Sequence, residues 1–147
     1  SIIEAGPSGI ADLEKLGERQ IRIDCDVIQA DGGTRTAAIS GSYVALALAI
    51  EDLIKRGELT ESPLVDSVAA VPSGLYRGAA VLDLDYAEDS VAEADANFVL
   101  TGSGKIVEIQ ASAEEYAFEE EKFSQLLSLA KEGCETLTTL QKETLET

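Results

Sequence analysis

The stretch IRIDCDVIQADGGTRT, Ile21–Thr36, changes its hydrophobic period partway along, and that change decides the fold. Ile21, Ile23, Cys25 and Val27 alternate with Arg22, Asp24 and Asp26. Successive side chains of a strand point to opposite faces, so this is a half-buried strand. Asp31-Gly32-Gly33 turns the chain. From Thr36 to about Lys55 the sequence is rich in Ala, Val, Leu and Ile, which predicts a helix closed by Gly57. A glycine turn between a strand and a helix is a place where an anion can sit. Glycines let the backbone approach, the helix start offers unpaired N–H groups, Arg35 adds fixed charge, and Thr34 and Thr36 carry hydroxyls. No P-loop lysine is present, so the turn suits free phosphate better than a nucleotide. The same residues also fit a tight turn capped by Thr, with Arg35 solvated.

Working outward, Ile2, Ile3, Ile10, Leu13 and Leu16 could form a short helical face, but Gly6, Pro7 and Gly9 interrupt it. Downstream, strands are expected over Asp66 to about Pro72 and over Ala79 to Tyr86, joined through Ser73–Gly78. Asn97–Thr101 and Lys105–Ala111 flank Gly102-Ser103-Gly104, a hairpin signal. Last, Phe123, Leu126, Leu127, Ala130, Cys134, Leu137 and Leu140 recur at helical spacing, with Glu119, Glu120 and Glu121 near the start, where negative charge is favoured. Such a stripe is the core-facing side of a helix rather than a coiled-coil seam. The order strand, helix, four strands, helix implies an α+β fold, a mixed sheet packed against helices.

Composition sets limits. With 147 residues and 45% hydrophobic residues, the chain suits one domain with an ordinary core. His, Met and Trp are absent, so acid/base chemistry would fall to carboxylates, water or a metal. Twenty-eight acidic against eleven basic residues give a net charge of −17, which attracts cations and repels a polyphosphate backbone. Cys25 and Cys134 lack paired spacing and read as core or neutral thiols in a reducing cytosol, not as a zinc site. No apolar run of membrane-spanning length and no leader pattern are read, so a soluble, cytoplasmic protein is expected.

The second candidate site is acidic: Asp83, Asp85, Glu88, Asp89, Glu93 and Asp95. Asp83 and Asp85 share a strand face, while Asp89 and Asp95 fall beyond that strand and before the next. Such carboxylates can hold Mg²⁺ or Mn²⁺, or one can protonate a leaving oxygen if its pKa is raised. A solvated acidic surface is the plainer alternative, and Asp24 and Asp26 are read that way.

Taken together, these segments resemble ribonuclease PH. The match includes Leu13-Glu14-Lys15-Leu16-Gly17-Glu18-Arg19, Ile23 to Ala37, Leu82 to Ser90, Thr101-Gly102-Ser103-Gly104, Val107-Glu108-Ile109-Gln110 and Gln141-Lys142, in the family's order. The resemblance implies the ribonuclease PH fold, related to the second domain of ribosomal protein S5. It implies phosphate bound at Gly33, Thr34 and Arg35, and required aspartates at Asp89 and Asp95 assisted by Mg²⁺ or Mn²⁺. The implied reaction is attack of phosphate on the 3′-terminal phosphodiester of RNA, typically precursor tRNA, releasing a nucleoside diphosphate. Homo-oligomeric rings are typical of the family. There are departures. The family's Arg-rich N-terminal half, which carries RNA contacts and part of the ring interface, is not found. Ser1–Gly9 stands where an arginine-bearing helix is expected. Gln110-Ala111-Ser112-Ala113-Glu114 replaces Gln-Gly-Thr-Ala-Glu, and Val71-Pro72-Ser73 replaces a more apolar strand end. Residues 1–147 are thus expected to form a single domain, incomplete at its N-terminus, as in a fragment or engineered half-protein. Three readings remain: a phosphorolytic exoribonuclease or its phosphate- and metal-bearing part, an anion-binding module without an RNA path, and a non-catalytic scaffold.

Overall fold

A computed structural model of the chain describes residues 2–4, 22–24, 34–82, 92–114 and 116–146. The elements are β1 (Ile2–Glu4), β2 (Arg22–Asp24), α1 (Thr34–Lys55), β3 (Val68–Tyr76), β4 (Ala79–Leu82), β5 (Ala94–Thr101), β6 (Ile106–Ala113) and α2 (Glu120–Glu146). The α+β class is as expected. One strand more is present: Ile2–Glu4 pairs antiparallel with Arg22–Asp24 instead of starting a helical face. The other four strands form a sheet in the order β4-β3-β5-β6. Its pairings are antiparallel throughout, rather than mixed.

β3 is the spine, buried along most of its length. Alternation divides its side chains between two layers. Ala69, Val71 and Leu75 join Ala94, Ala96, Phe98 and Leu100 of β5 beneath Leu126, Ala130 and Cys134 of α2. Val68 and Ala70 join Val99 beneath Leu46 and Ile50 of α1. Phe98 is fully buried, its ring centroid 5.9 Å from that of Phe123. Burying a side chain of this kind contributes about 1.5–3 kcal/mol.

The connection after β3 is tighter than the sequence suggested. β3 continues through Ser73 and Gly74 to Tyr76, and only Arg77 and Gly78 make the turn to β4. Both have positive φ, 54° and 78°, the signature of a type I′ turn whose twist matches that of the flanking strands. At the other end of the sheet, Asp66 accepts hydrogen bonds from Ser67 N (2.8 Å) and Ser103 Oγ (2.5 Å), holding the β5–β6 turn. Burial alone would raise the pKa of Asp66, but the Ser103, Ser67 and Thr101 bonds outweigh it and hold it below the usual value. Its contribution is therefore present above the unfolded carboxylate pKa of about 3.9 and lost as pH falls through the folded value.

Side chains rather than a strand complete one edge of β3. β4 pairs only with Ser73–Tyr76, which leaves the Val68–Pro72 edge without a strand partner among the described residues. Ser40 Oγ takes the Ala70 N–H at 2.9 Å and donates to the Ala70 carbonyl at 3.3 Å. Gln141 Nε2 donates to the carbonyls of Val68 (2.9 Å) and Ser40 (3.0 Å). Pro72, on the same edge, has no N–H to satisfy. This explains why the stripe of α2 ends otherwise than its spacing implied: Leu140 is 50% exposed and Gln141 is buried, because the edge carbonyls need a donor. Cys134 is buried, and desolvation pushes its thiol up to about 11, as expected of a neutral core cysteine. Cys25 lies outside the described residues.

The expectation that no apolar run has membrane-spanning length is corrected by α1. Thr36–Lys55 is long and apolar enough to cross a membrane by length and composition, with a mean hydropathy of 1.5. Its apolar residues are partly accounted for by the face laid on β3, although only 17% of that window is buried.

Ser40→Ala removes two bonds to one buried strand residue and is expected to cost roughly 1–3 kcal/mol in urea unfolding. Arg77→Asn, which suits the left-handed region, is expected to raise the thermal midpoint.

Candidate functional site

The direction of α1 determines what its start can meet. Ser40 is bonded to Ala70. One turn further along, Tyr43 has its phenol pushed up by burial and by the nearby charge of Asp66. As numbers rise along α1 they fall along its partner, so α1 runs antiparallel to β3. The helix start, with Thr34 and Arg35 in its first turn, therefore lies toward the Pro72–Tyr76 end of the strand. Six residues separate Thr34 from Ser40, about 9 Å at 1.5 Å per residue.

The register locates the second half of the site. Ala70 pairs with Val99, Pro72 with Asn97 and Gly74 with Asp95. Val99 lies in the α1 layer, and Asp95, four residues away on the same strand, shares its face. Asp95 thus sits about 13 Å from Val99 along β5, toward the end to which the helix start points. The sequence placed Asp95 before the strand, whereas it is the second residue of β5, exposed and flanked by Gly74 and Ser112. The strand begins earlier because Glu93 N donates to the Leu75 carbonyl at 2.8 Å, extending the ladder. Glu93 also accepts the Gly78 N–H at 3.3 Å, so its carboxylate is turned to the β3–β4 turn.

Tyr76 was read as part of a connecting loop and is instead the last residue of β3, on the face of Gly74 and Asp95. A methyl group on Gly74 would come within 2.9 Å of Tyr76 Cε2, so the ring lies across the glycine. Burial, and then the charge of Asp95, push its phenol above the usual range. The signal was available: Leu75 and Tyr76 continue the strand alternation beyond the glycine.

Gly33, Asp83, Asp85, Glu88 and Asp89 lie outside the described residues. Thr34 and Arg35 are described by their backbone, as the start of α1. Asp24 ends β2, and Asp26 lies outside the described residues. Among the described residues, no group of three or more His, Cys, Asp or Glu gathers to hold a metal.

A helix start and an exposed carboxylate are directed to one end of one sheet face in this α+β protein. The comparisons name its family. The 3′ exoribonuclease family, domain 1, matches residues 1–50, and the 3′ exoribonuclease family, domain 2, matches residues 66–133. The chain belongs to this 3′ exoribonuclease family. Among solved structures it is similar to an archaeal exosome core, with 23% identity, a TM-score of 0.47, and coverage of 60% of this chain and 37% of that one. It is also similar to an Archaeoglobus fulgidus exosome with RNA bound to the active site, at 22% identity and a TM-score of 0.45, covering 58% and 35%. The chain thus spans little more than a third of the length of those chains.

Asp95→Asn is expected to bring the Tyr76 phenol down toward the ordinary tyrosine value by removing the nearby charge. The check is a pH titration of the Tyr76 ¹³Cζ resonance, with Tyr43 unmoved as the internal control.

Proposed function

We propose that this chain carries the phosphate- and metal-bearing part of a phosphorolytic 3′→5′ exoribonuclease that trims tRNA 3′ ends and releases nucleoside diphosphates. One observation carries the reading: α1 runs antiparallel to β3, and Asp95 faces the same layer, so the helix start and the carboxylate head for the same end of the sheet. Membership of the 3′ exoribonuclease family supports it.

In this reading Gly33 supplies a backbone N–H, and Thr34 and Arg35 hold the attacking phosphate at the start of α1. Arg35 offers a fork of donors that matches phosphate oxygens and does not deprotonate near neutral pH. Asp89 and Asp95 would hold a divalent cation, Mg²⁺ or Mn²⁺, or assist proton transfer to the leaving 3′ oxygen. When bound, that cation offsets charge developing on the phosphoryl oxygens. The phosphate oxygen bonds to phosphorus as the bond to the upstream 3′ oxygen breaks. That oxygen takes a proton and becomes the new 3′ hydroxyl.

The net charge of −17 opposes RNA approach, so weak RNA binding and strong salt dependence are part of the proposal. Further RNA contacts would come from a second copy or from other chains of an assembly.

A short RNA incubated with the chain, phosphate and Mg²⁺ should yield nucleoside diphosphates only when phosphate is present. Arg35→Ala and Asp95→Ala should each reduce the rate by at least about a hundredfold, the range for loss of one charge-stabilising group. Phosphate binding that depends on Arg35, with no product, would instead support the non-catalytic scaffold with an anion site. Neither binding nor product would sink both readings.

A further inference from the structure

One aromatic side chain near Asp95 has no part in the chemistry proposed above. Tyr76 lies over Gly74, the cross-strand partner of Asp95. Its ring fills the space a side chain at Gly74 would occupy, with Cε2 and Cζ within 2.9 Å and 3.4 Å of that absent methyl position. The ring therefore lies across the sheet face, backed by the strand. The residue is only partly buried, so the ring presents surface to solvent beside the carboxylate. The type I′ turn immediately following, Arg77-Gly78, holds the strand end on which it sits, and Lys122 of α2 donates to the Gly78 carbonyl at 2.6 Å.

A flat aromatic ring that is part-exposed and backed by a strand is the arrangement on which unpaired nucleobases stack, because every base offers a π face and neither hydrogen-bond pattern nor charge is required. The lack of a charge requirement matters in an acidic protein: stacking is a route to RNA affinity that the net charge of −17 does not oppose directly. We propose that Tyr76 is a substrate-positioning platform, stacking on one of the two nucleobases that flank the scissile linkage. This rests on the exoribonuclease reading, since it needs an RNA 3′ end near Asp95. Tyr76 then sets where the end of the strand stops, while Asp95 and the helix start act on the linkage.

The test uses the full chain and fluorescently labelled oligoadenylates whose last or penultimate nucleotide is either intact or an abasic ribose. The wild type should bind the intact strand about tenfold more tightly than one of the abasic strands. Tyr76→Leu should bind both alike and weakly, while Tyr76→Phe should keep the preference. In phosphorolysis, Tyr76→Leu should raise KM for RNA with little change in kcat or in KM for phosphate, a split that general loosening of the sheet would not give. Gly74→Ala, which displaces the ring without removing it, should repeat the loss if folding of Tyr76→Leu is compromised. A wild type indifferent to the missing base, or a Tyr76→Leu variant that keeps the preference, overturns the platform even if nucleoside diphosphate is released. Base-dependent binding lost in Tyr76→Leu, with no diphosphate released by any variant, leaves the platform standing and overturns the exoribonuclease reading instead.

Discussion

The hydrogen bonds between Ser40 and Ala70 fix more of this molecule than their number suggests. Apolar contacts are non-directional, so they define the register of a helix on a sheet less sharply than a hydrogen bond does. A hydroxyl shared between one N–H and one carbonyl admits a single register. With Ser40 held against Ala70, the helix start has one distance to the end of β3, and its direction toward the Asp95 end of the sheet follows from it. Gln141 adds a second constraint by bridging Ser40 and Val68, so α2 is indexed to α1 through the same strand edge.

Electrostatics sharpens what such a site must do. A chain of net charge −17 surrounds any phosphate with an unfavourable field. At physiological ionic strength that field is screened over about 8 Å, so local donors decide binding. In the proposed site the helix start and Arg35 would be one such concentration of positive potential, and a divalent cation another. The same field that discourages RNA favours cations. A largely uncharged ring on the sheet face fits this setting, since surface can be gained there without a matching charge.

Much of the architecture was legible in the sequence because two periods are hard to confuse. The alternation about Arg22–Asp24, the long apolar helix expected from Thr36 and the spacing of Leu126, Ala130 and Cys134 each point to one element type. What was misjudged depended on tertiary partners. Ser73-Gly74 looks like a turn, yet it continues β3 because β4 and β5 both bond to it. Arg77 gives no local sign of a positive φ, and only the strand register forces it. Leu140 fits the apolar stripe, but the last turns of α2 present Gln141 inward, since the buried edge carbonyl of Val68 calls for a donor rather than a methyl group. The candidate site was readable as residue types, and not as geometry. Nothing in the chain between Arg35 and Asp95 says which way α1 runs, and only the Ser40 and Tyr43 contacts do. For Asp89 and Gly33 the reading still rests on motif alone.

The treatment of the β3 edge also has a consequence for the protein's neighbours. A bare strand edge is a template on which another extended chain can add by backbone pairing, the first step of many aggregation reactions. Here the acceptors at Val68 and Ala70 are already engaged by side chains, the Ala70 donor is taken, and Pro72 has none to offer. That margin, which has no strand partner among the described residues, is closed to strand invasion by side chains from both helices.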